Sequence, residues 1–150
     1  MAATLTSILI HYVFSTKHRA ETIPVAMRPD LFQYIGGVCR DMKSVLMHAG
    51  GMPDHVHLLV SQGKTVSPAD LMMHVRRASS IWMKNQATDL ATFAWQDGYF
   101  GFSIGHDSID AVRAYFDHQE EHHRKHDFKT EVLAFLEKYH VKYDPEHLWD

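Results

Sequence analysis

The sequence has few of the features that mark several protein classes. It contains one cysteine, Cys39, so no disulfide can form within the chain. No apolar run approaches the roughly 18 residues that a membrane helix needs, and residues 1–19 lack the charged-then-apolar layout of a signal peptide. Basic residues do not outnumber acidic ones, and the formal charge is -3. We therefore expect a cytoplasmic protein, without a membrane partner, that does not simply coat nucleic acid.

Histidine is the residue in excess, with 13 in 150 positions. Imidazole can bind metal ions and titrates near neutral pH, so this excess needs an explanation. The length fits one domain over residues 1–150, and we expect residues 140–150 to form a mobile tail. Cys39 lies in an apolar-periodic stretch, which predicts a small buried side chain rather than a nucleophile.

The spacing of apolar residues predicts alternating strands and helices. Strands are predicted at residues 4–15, 45–49, 55–61 and 99–104, and helices at residues 28–44, 67–85, 110–126 and 132–139. The order β-α-β-β-α-β, followed by further helices, is that of the ferredoxin-like split βαβ fold. We therefore predict an α/β (α+β) domain in which one antiparallel sheet carries helices on one face, with C-terminal helices added. Such a fold does not by itself identify a function.

Two histidines stand two positions apart in the third predicted strand. Because strand side chains alternate between faces, His55 and His57 project to the same side and can share a metal ion. An isolated pair of this kind more often binds nothing. Here the rest of the strand is strongly apolar, which is an unusual setting for two solvated side chains, and Asp54 could orient one imidazole.

A second group of polar residues lies on the predicted helix over residues 110–126. Helical spacing places Tyr115, Gln119 and His122 on one face. Taken alone, this segment is better explained by a tyrosine at the core edge beside a solvated helix face. Together with the histidine pair, it suggests a nucleophile assisted by a metal. A phenol with a pKa of about 10 attacks a phosphodiester poorly unless developing charge is stabilised.

These motifs, in this order, resemble the single-tyrosine HUH transposases of small bacterial insertion sequences and their repeat-associated, domesticated relatives. The likeness covers nearly the whole chain. Its matching segments are residues 13–19 (VFSTKHR), 52–60 (MPDHVHLLV), 95–99 (WQDGY) and 115–123 (YFDHQEEHH).

The resemblance implies a DNA transposition enzyme that cleaves and rejoins single-stranded DNA, recognises hairpin ends and passes through a 5′-phosphotyrosine intermediate. It implies that Tyr115 is the nucleophile and that His55, His57 and Gln119 hold a divalent metal, Mg²⁺ or Mn²⁺. It also implies a homodimer in which the tyrosine helix of one subunit completes the active site of the other.

The residues alone leave the third ligand and the ion open. Imidazole is normally a better transition-metal ligand than an amide, and His118 and His122 lie within one turn of Gln119. Either histidine is therefore an alternative ligand. Histidine ligation would also accept heavier ions such as Zn²⁺ or Ni²⁺ in vitro.

Two basic segments are candidate DNA contacts. The one on the second predicted helix is equally compatible with an ordinary solvated surface, and the family resemblance places DNA near the other. One follows the first strand and the other lies on the helix over residues 67–85. The predicted DNA-binding residues are Lys17, Arg19, Arg76, Arg77 and Lys84. Bases of single-stranded DNA also stack on aromatic side chains, for which Trp95, Tyr99 and Phe100 are candidates. Core packing is the better explanation for at least one of these three.

Three alternatives compete with the mobile transposase. One is a domesticated nuclease that processes chromosomal repeat hairpins. Another is a nucleic-acid-binding protein that keeps the ferredoxin-like scaffold without chemistry, although intact His55, His57 and Tyr115 argue against it. A third is simple metal storage or sensing, which would leave Tyr115 without a purpose.

Overall fold

The computed structural model describes residues 2–150, and its strands and helices follow the predicted order. The strands are β1 (Leu9–Ser15), β2 (Val45–Met52), β3 (His55–Ser61) and β4 (Phe100–Ile104), and the helices are α1 (Arg28–Asp41), α2 (Pro68–Lys84), α3 (Ile109–Asp117), α4 (Gln119–His123) and α5 (Phe128–Lys138). One antiparallel sheet has the order β2-β3-β1-β4. The predicted ferredoxin-like split βαβ fold is confirmed. Within residues 2–150, no helix is long and apolar enough to span a membrane.

Several element boundaries differ from the prediction, most of all at the start of β1, at His118 and at the start of α5. β1 begins at Leu9 rather than at residue 4, because its partners on β3 and β4 end opposite that residue, at Ser61 and Ile104. The predicted helix over residues 110–126 is divided at His118, whose backbone (φ -105°, ψ 24°) leaves the helical region. α5 begins at Phe128 rather than at residue 132, because the side chain of Asp127 caps it.

Different helices cover the two faces of the sheet. α1 and α2 pack on the first face, where alternate strand residues form the larger core with the buried Cys39, as predicted for that thiol. Its strand residues include Tyr12, Phe14, Val56, Leu58 and Val60.

The second face carries a smaller core, in which Val13 and Phe102 pack against α5. His11 alternates with Tyr12, and His55 and His57 alternate with Val56, so all three histidines point to this second face. In the segment over residues 140–150, Leu148 and Trp149 pack against the same cluster. The mobility of that segment stays a prediction.

Candidate active site

The site is built on β3, which aims His55 and His57 into the second face of the sheet. Both side chains are fully buried, and their ring centroids lie 5.1 Å apart. Val56, between them, points into the first core, as the period-two alternation predicts. The strand therefore presents two adjacent imidazoles to one enclosed space.

Each of these imidazoles has a hydrogen-bonding partner at its Nδ1 atom. Nδ1 of His55 lies 2.7 Å from Oδ1 of Asp54, which is the contact expected from the sequence. Nδ1 of His57 lies 2.8 Å from Nε2 of His11 on β1. Both Nε2 atoms consequently face the interior of the site.

Glu131 of α5 is a buried acid in this space that the sequence analysis missed. Its Oε1 lies 2.9 Å from Nε2 of His57 and 3.2 Å from Nε2 of His55. The predicted helix start at residue 132 left this position in a loop. A detectable signal was present, because Phe128, Glu131 and Val132 have core-facing helical spacing and one of them is charged.

Tyr115, near the end of α3, is next to this carboxylate. Its hydroxyl donates a hydrogen bond to Oε2 of Glu131, and its ring centroid lies 5.7 Å from that of His57. Burial raises the pKa of Tyr115, and the negative charge of Glu131 raises it further. The phenol is therefore protonated at neutral pH and sits against the histidine pair.

Gln119 is also buried in the cluster. Its Oε1 lies 3.3 Å from Nε2 of His55 and 3.1 Å from Nε2 of His123. Its amide nitrogen donates to the backbone carbonyl of Tyr115 at 3.3 Å and to Oε2 of Glu131 at 3.4 Å. The amide oxygen therefore faces the same space as the imidazoles.

The two alternative ligands considered from the sequence fall in different places. Nε2 of His122 is buried without a hydrogen-bond partner among residues 2–150 and lies 3.5 Å from Oε2 of Glu131, so it is at the margin of the cluster. His118 is exposed, and its Nδ1 lies 2.6 Å from the carbonyl oxygen of Ala114. His118 therefore lies outside the site.

Charge in the site is concentrated on an ion pair. Burial alone would lower the pKa of His55, but hydrogen bonds to Asp54 and Glu131 outweigh it and raise the pKa to about 9. Burial alone would raise the pKa of Glu131, but hydrogen bonds from His123, His55 and His57 hold it well below its usual range. Burial lowers the pKa of His57. At neutral pH a buried carboxylate therefore faces one protonated imidazole.

The donor atoms in this cluster fit a divalent metal ion. One ligand atom from each of four residues lies within 4.8 Å of the others; these residues are His55, His57, His123 and Glu131. Imidazole nitrogen with carboxylate oxygen is a common ligand set for divalent transition metals. Nε2 of His122, at the margin of the cluster, is a further candidate ligand atom. His123 and Glu131 are candidate ligands that the sequence analysis did not identify.

One predicted basic cluster lies at the same end of the sheet. Lys17 and Arg19 form a short turn directly after β1, whose last residue, Ser15, pairs with His55. Lys17 is exposed and Arg19 partly so. Their location is suitable for contacts with a substrate that reaches the histidines.

The predicted basic residues on α2 lie across the sheet from the histidines, because α2 packs on the first face. Arg77 and Lys84 are exposed there. Arg76 instead donates hydrogen bonds to the carbonyl oxygens of Gln96 and Gly98, both at 3.0 Å, and its guanidinium lies over the Tyr99 ring. Its guanidinium therefore supports the loop before β4.

The three aromatic residues predicted to stack on DNA bases differ in their exposure. Trp95 is buried, and its indole nitrogen donates to the Ser79 hydroxyl at 2.9 Å, so it belongs to the core. Tyr99 and Phe100 are partly exposed.

Comparison with known proteins gives one family and several similar folds. Residues 4–119 match the model of the family described as IS200-like transposases. A crystal structure from Deinococcus radiodurans R1, assigned as a transposase, has a TM-score of 0.62 at 17% identity and covers 79% of this chain and 95% of its own. The structure of a REP-associated tyrosine transposase bound to a REP hairpin has a TM-score of 0.61 at 12% identity. The alignment covers 82% of this chain and 72% of the transposase chain. No curated protein sequence matches significantly.

The family match ends at Gln119. It therefore includes His55, His57 and Tyr115 but neither His123 nor Glu131. The family match therefore does not cover the parts of the site that lie after Gln119 on α4 and on α5.

Proposed function

Since this chain belongs to the family of IS200-like transposases, we propose that it cleaves and rejoins single-stranded DNA through a covalent link to Tyr115. One observation carries the proposal: the Tyr115 hydroxyl is held against Glu131, within a buried cluster that contains both histidines of the HxH strand. A phenol packed only for stability would not need three ionisable neighbours in a buried space.

In the proposed reaction, Oη of Tyr115 attacks a phosphorus atom of the DNA backbone. The new Oη–P bond replaces the P–O3′ bond, so the DNA fragment that keeps the 5′ phosphate stays on the enzyme as a phosphotyrosine. The other fragment leaves with a free 3′ hydroxyl. The tyrosine proton is lost and the leaving oxygen gains one. The phosphodiester energy is kept in the covalent link, so a second 3′ hydroxyl can reverse the step and rejoin the strands.

His55 and His57 would hold the metal, with Glu131 and either Gln119 or His123 as further ligands. A divalent ion at this position supplies Lewis-acid stabilisation of charge on a non-bridging phosphate oxygen. We propose Mn²⁺ or Mg²⁺, of which the imidazole-rich ligand set favours Mn²⁺. His55 must lose its proton to become a ligand, because a nitrogen that carries hydrogen has no free lone pair.

We propose hairpin DNA as the substrate and a homodimer as the active form. The REP-associated neighbour is bound to a hairpin, and the exposed Lys17 beside the site supports a phosphate contact here. The composite dimer follows from the sequence resemblance. A single chain nevertheless brings Tyr115 to its own His57, so the exchange of α3 between subunits needs a separate test.

The test is incubation of labelled hairpin DNA from the flanks of the gene with Mn²⁺, followed by denaturing electrophoresis. Wild type and Tyr143→Phe, a change at an exposed tyrosine, should give a covalent protein–DNA band, and Tyr115→Phe should give none. Absence of the band with wild type, with hairpin binding retained, would replace the proposal by a non-catalytic binder.

A further inference from the structure

His11 is a buried histidine that the proposed reaction does not use. It lies on β1, is 2% exposed, and has three phenylalanine rings around it. The centroid distances are 6.1 Å to Phe102, 4.9 Å to Phe116 and 5.1 Å to Phe135. An imidazole in such apolar surroundings is costly unless it makes a hydrogen bond, so its polar contact indicates its role.

That contact is with His57. Nε2 of His11 lies 2.8 Å from Nδ1 of His57, and both rings are buried. In the β1–β3 ladder Val13 is opposite His57 and His11 is opposite Leu59, so the two histidines are diagonal neighbours on one face. The phenylalanine rings fix the His11 imidazole in this position.

We propose that His11 is a positioning residue for the metal site, acting through His57. A histidine that binds a metal through Nε2 carries its proton on Nδ1, and this N–H needs an acceptor. A neutral imidazole offers one bare nitrogen, and Nε2 of His11 is at hydrogen-bond distance. His11 thereby performs for His57 the task that Asp54 performs for His55. The inference rests on the proposed function in one respect, that His57 binds the metal.

Two isosteric substitutions test the position of the acceptor. The side-chain oxygen of glutamine can occupy the place of a histidine Nε2, whereas that of asparagine reaches only the place of Nδ1. His11→Gln should therefore keep Co²⁺ affinity near that of wild type. His11→Asn and His11→Phe should lower it by about 10- to 100-fold, the usual effect of removing a group that orients a metal-bound histidine. Affinity is measured by titration with Co²⁺, followed by its visible absorption, and circular dichroism without metal verifies folding.

The possible results separate this inference from the proposed function. If wild type binds no Co²⁺, the metal-dependent function fails, and this inference fails with it. If wild type binds and a folded asparagine or phenylalanine variant binds equally well, only the role of His11 is overturned. Loss of affinity in His11→Gln equal to that in His11→Asn overturns it too.

A measurement on unaltered protein removes any dependence on how the variants fold. Nitrogen-15 spectra of Zn²⁺-loaded wild type should report His57 protonated at Nδ1 and His11 unprotonated at Nε2. A His57 ring without hydrogen on Nδ1 in that state would contradict the inference.

Discussion

The hydroxyl of Tyr115 donates a hydrogen bond to the carboxylate of Glu131, which joins the predicted nucleophile to a buried acid on a later helix. The other oxygen of that carboxylate contacts His57 and His55. Glu131 thus contacts both the nucleophile and the histidine pair through its charged carboxylate. Its removal should affect metal binding and the tyrosine together.

We expect Glu131→Gln to lower Mn²⁺ affinity by at least about tenfold, because an anionic donor is replaced by a neutral amide of similar size. Isothermal titration calorimetry measures this effect. Glu137→Gln is the matched control, since Glu137 is exposed on the same helix. Equal affinities of the two variants would show that Glu131 is not a ligand.

The sequence predicted the part of the site that depends on local periodicity. Alternation along β3 was sufficient to place His55 and His57 together, and helical spacing grouped Tyr115 with Gln119. Glu131 was missed because its contact with His57 spans 74 positions, and because the start of α5 depends on a side-chain cap. The break at His118 was missed as well, since the residue spacing there also fits an unbroken helix.

The metal-free protein should lose stability as the pH rises toward about 9. The pKa of His55 is raised from 6.5 to about 9 in the folded state, so its stabilising effect is complete below pH 6.5 and disappears as the pH passes the folded value. Urea unfolding at a series of pH values between 6.5 and about 9, with a chelator present, measures the free energy of unfolding. His55→Gln should show a flatter profile, and identical profiles would argue against the ion pair with Glu131.

Gly50→Ala should slow DNA cleavage while metal binding is retained. A Cβ atom at Gly50 would lie 2.7 Å from the carbonyl oxygen and 2.9 Å from Cβ of Phe116, so α3 must move. A displacement of about 1 Å can lower a rate by about 100-fold, and Tyr115 is adjacent to Phe116. Gly101→Ala is the control, because its added atom would meet Tyr12 at an ordinary 3.5 Å. Equal single-turnover rates for the two variants would refute this coupling.

Mixed variants test the composite dimer. Tyr115→Phe and His57→Ala are each expected to be inactive alone. If α3 of one subunit completes the site of the other, a mixed dimer contains one site with both defects and one intact site, so mixing should restore covalent DNA linkage. A mixture that exchanges subunits yet stays inactive would mean that each chain uses its own Tyr115.

The two basic surfaces should differ in what they contribute to the reaction. Lys17 and Arg19 follow β1 at the His55 end of the sheet, whereas Arg77 and Lys84 lie on the opposite side. Replacing both residues of either pair by alanine should make the DNA affinity less dependent on salt. The slope of log affinity against log salt concentration should fall by about one for each phosphate that the variant no longer neutralises. Only the Lys17 and Arg19 pair should also slow cleavage of DNA that is already bound, because only that surface adjoins the reacting group. Single-turnover cleavage at saturating protein separates the two effects. If alanine at Arg77 and Lys84 also slows the cleavage of bound DNA, the path of the DNA instead crosses α2 before it reaches Tyr115.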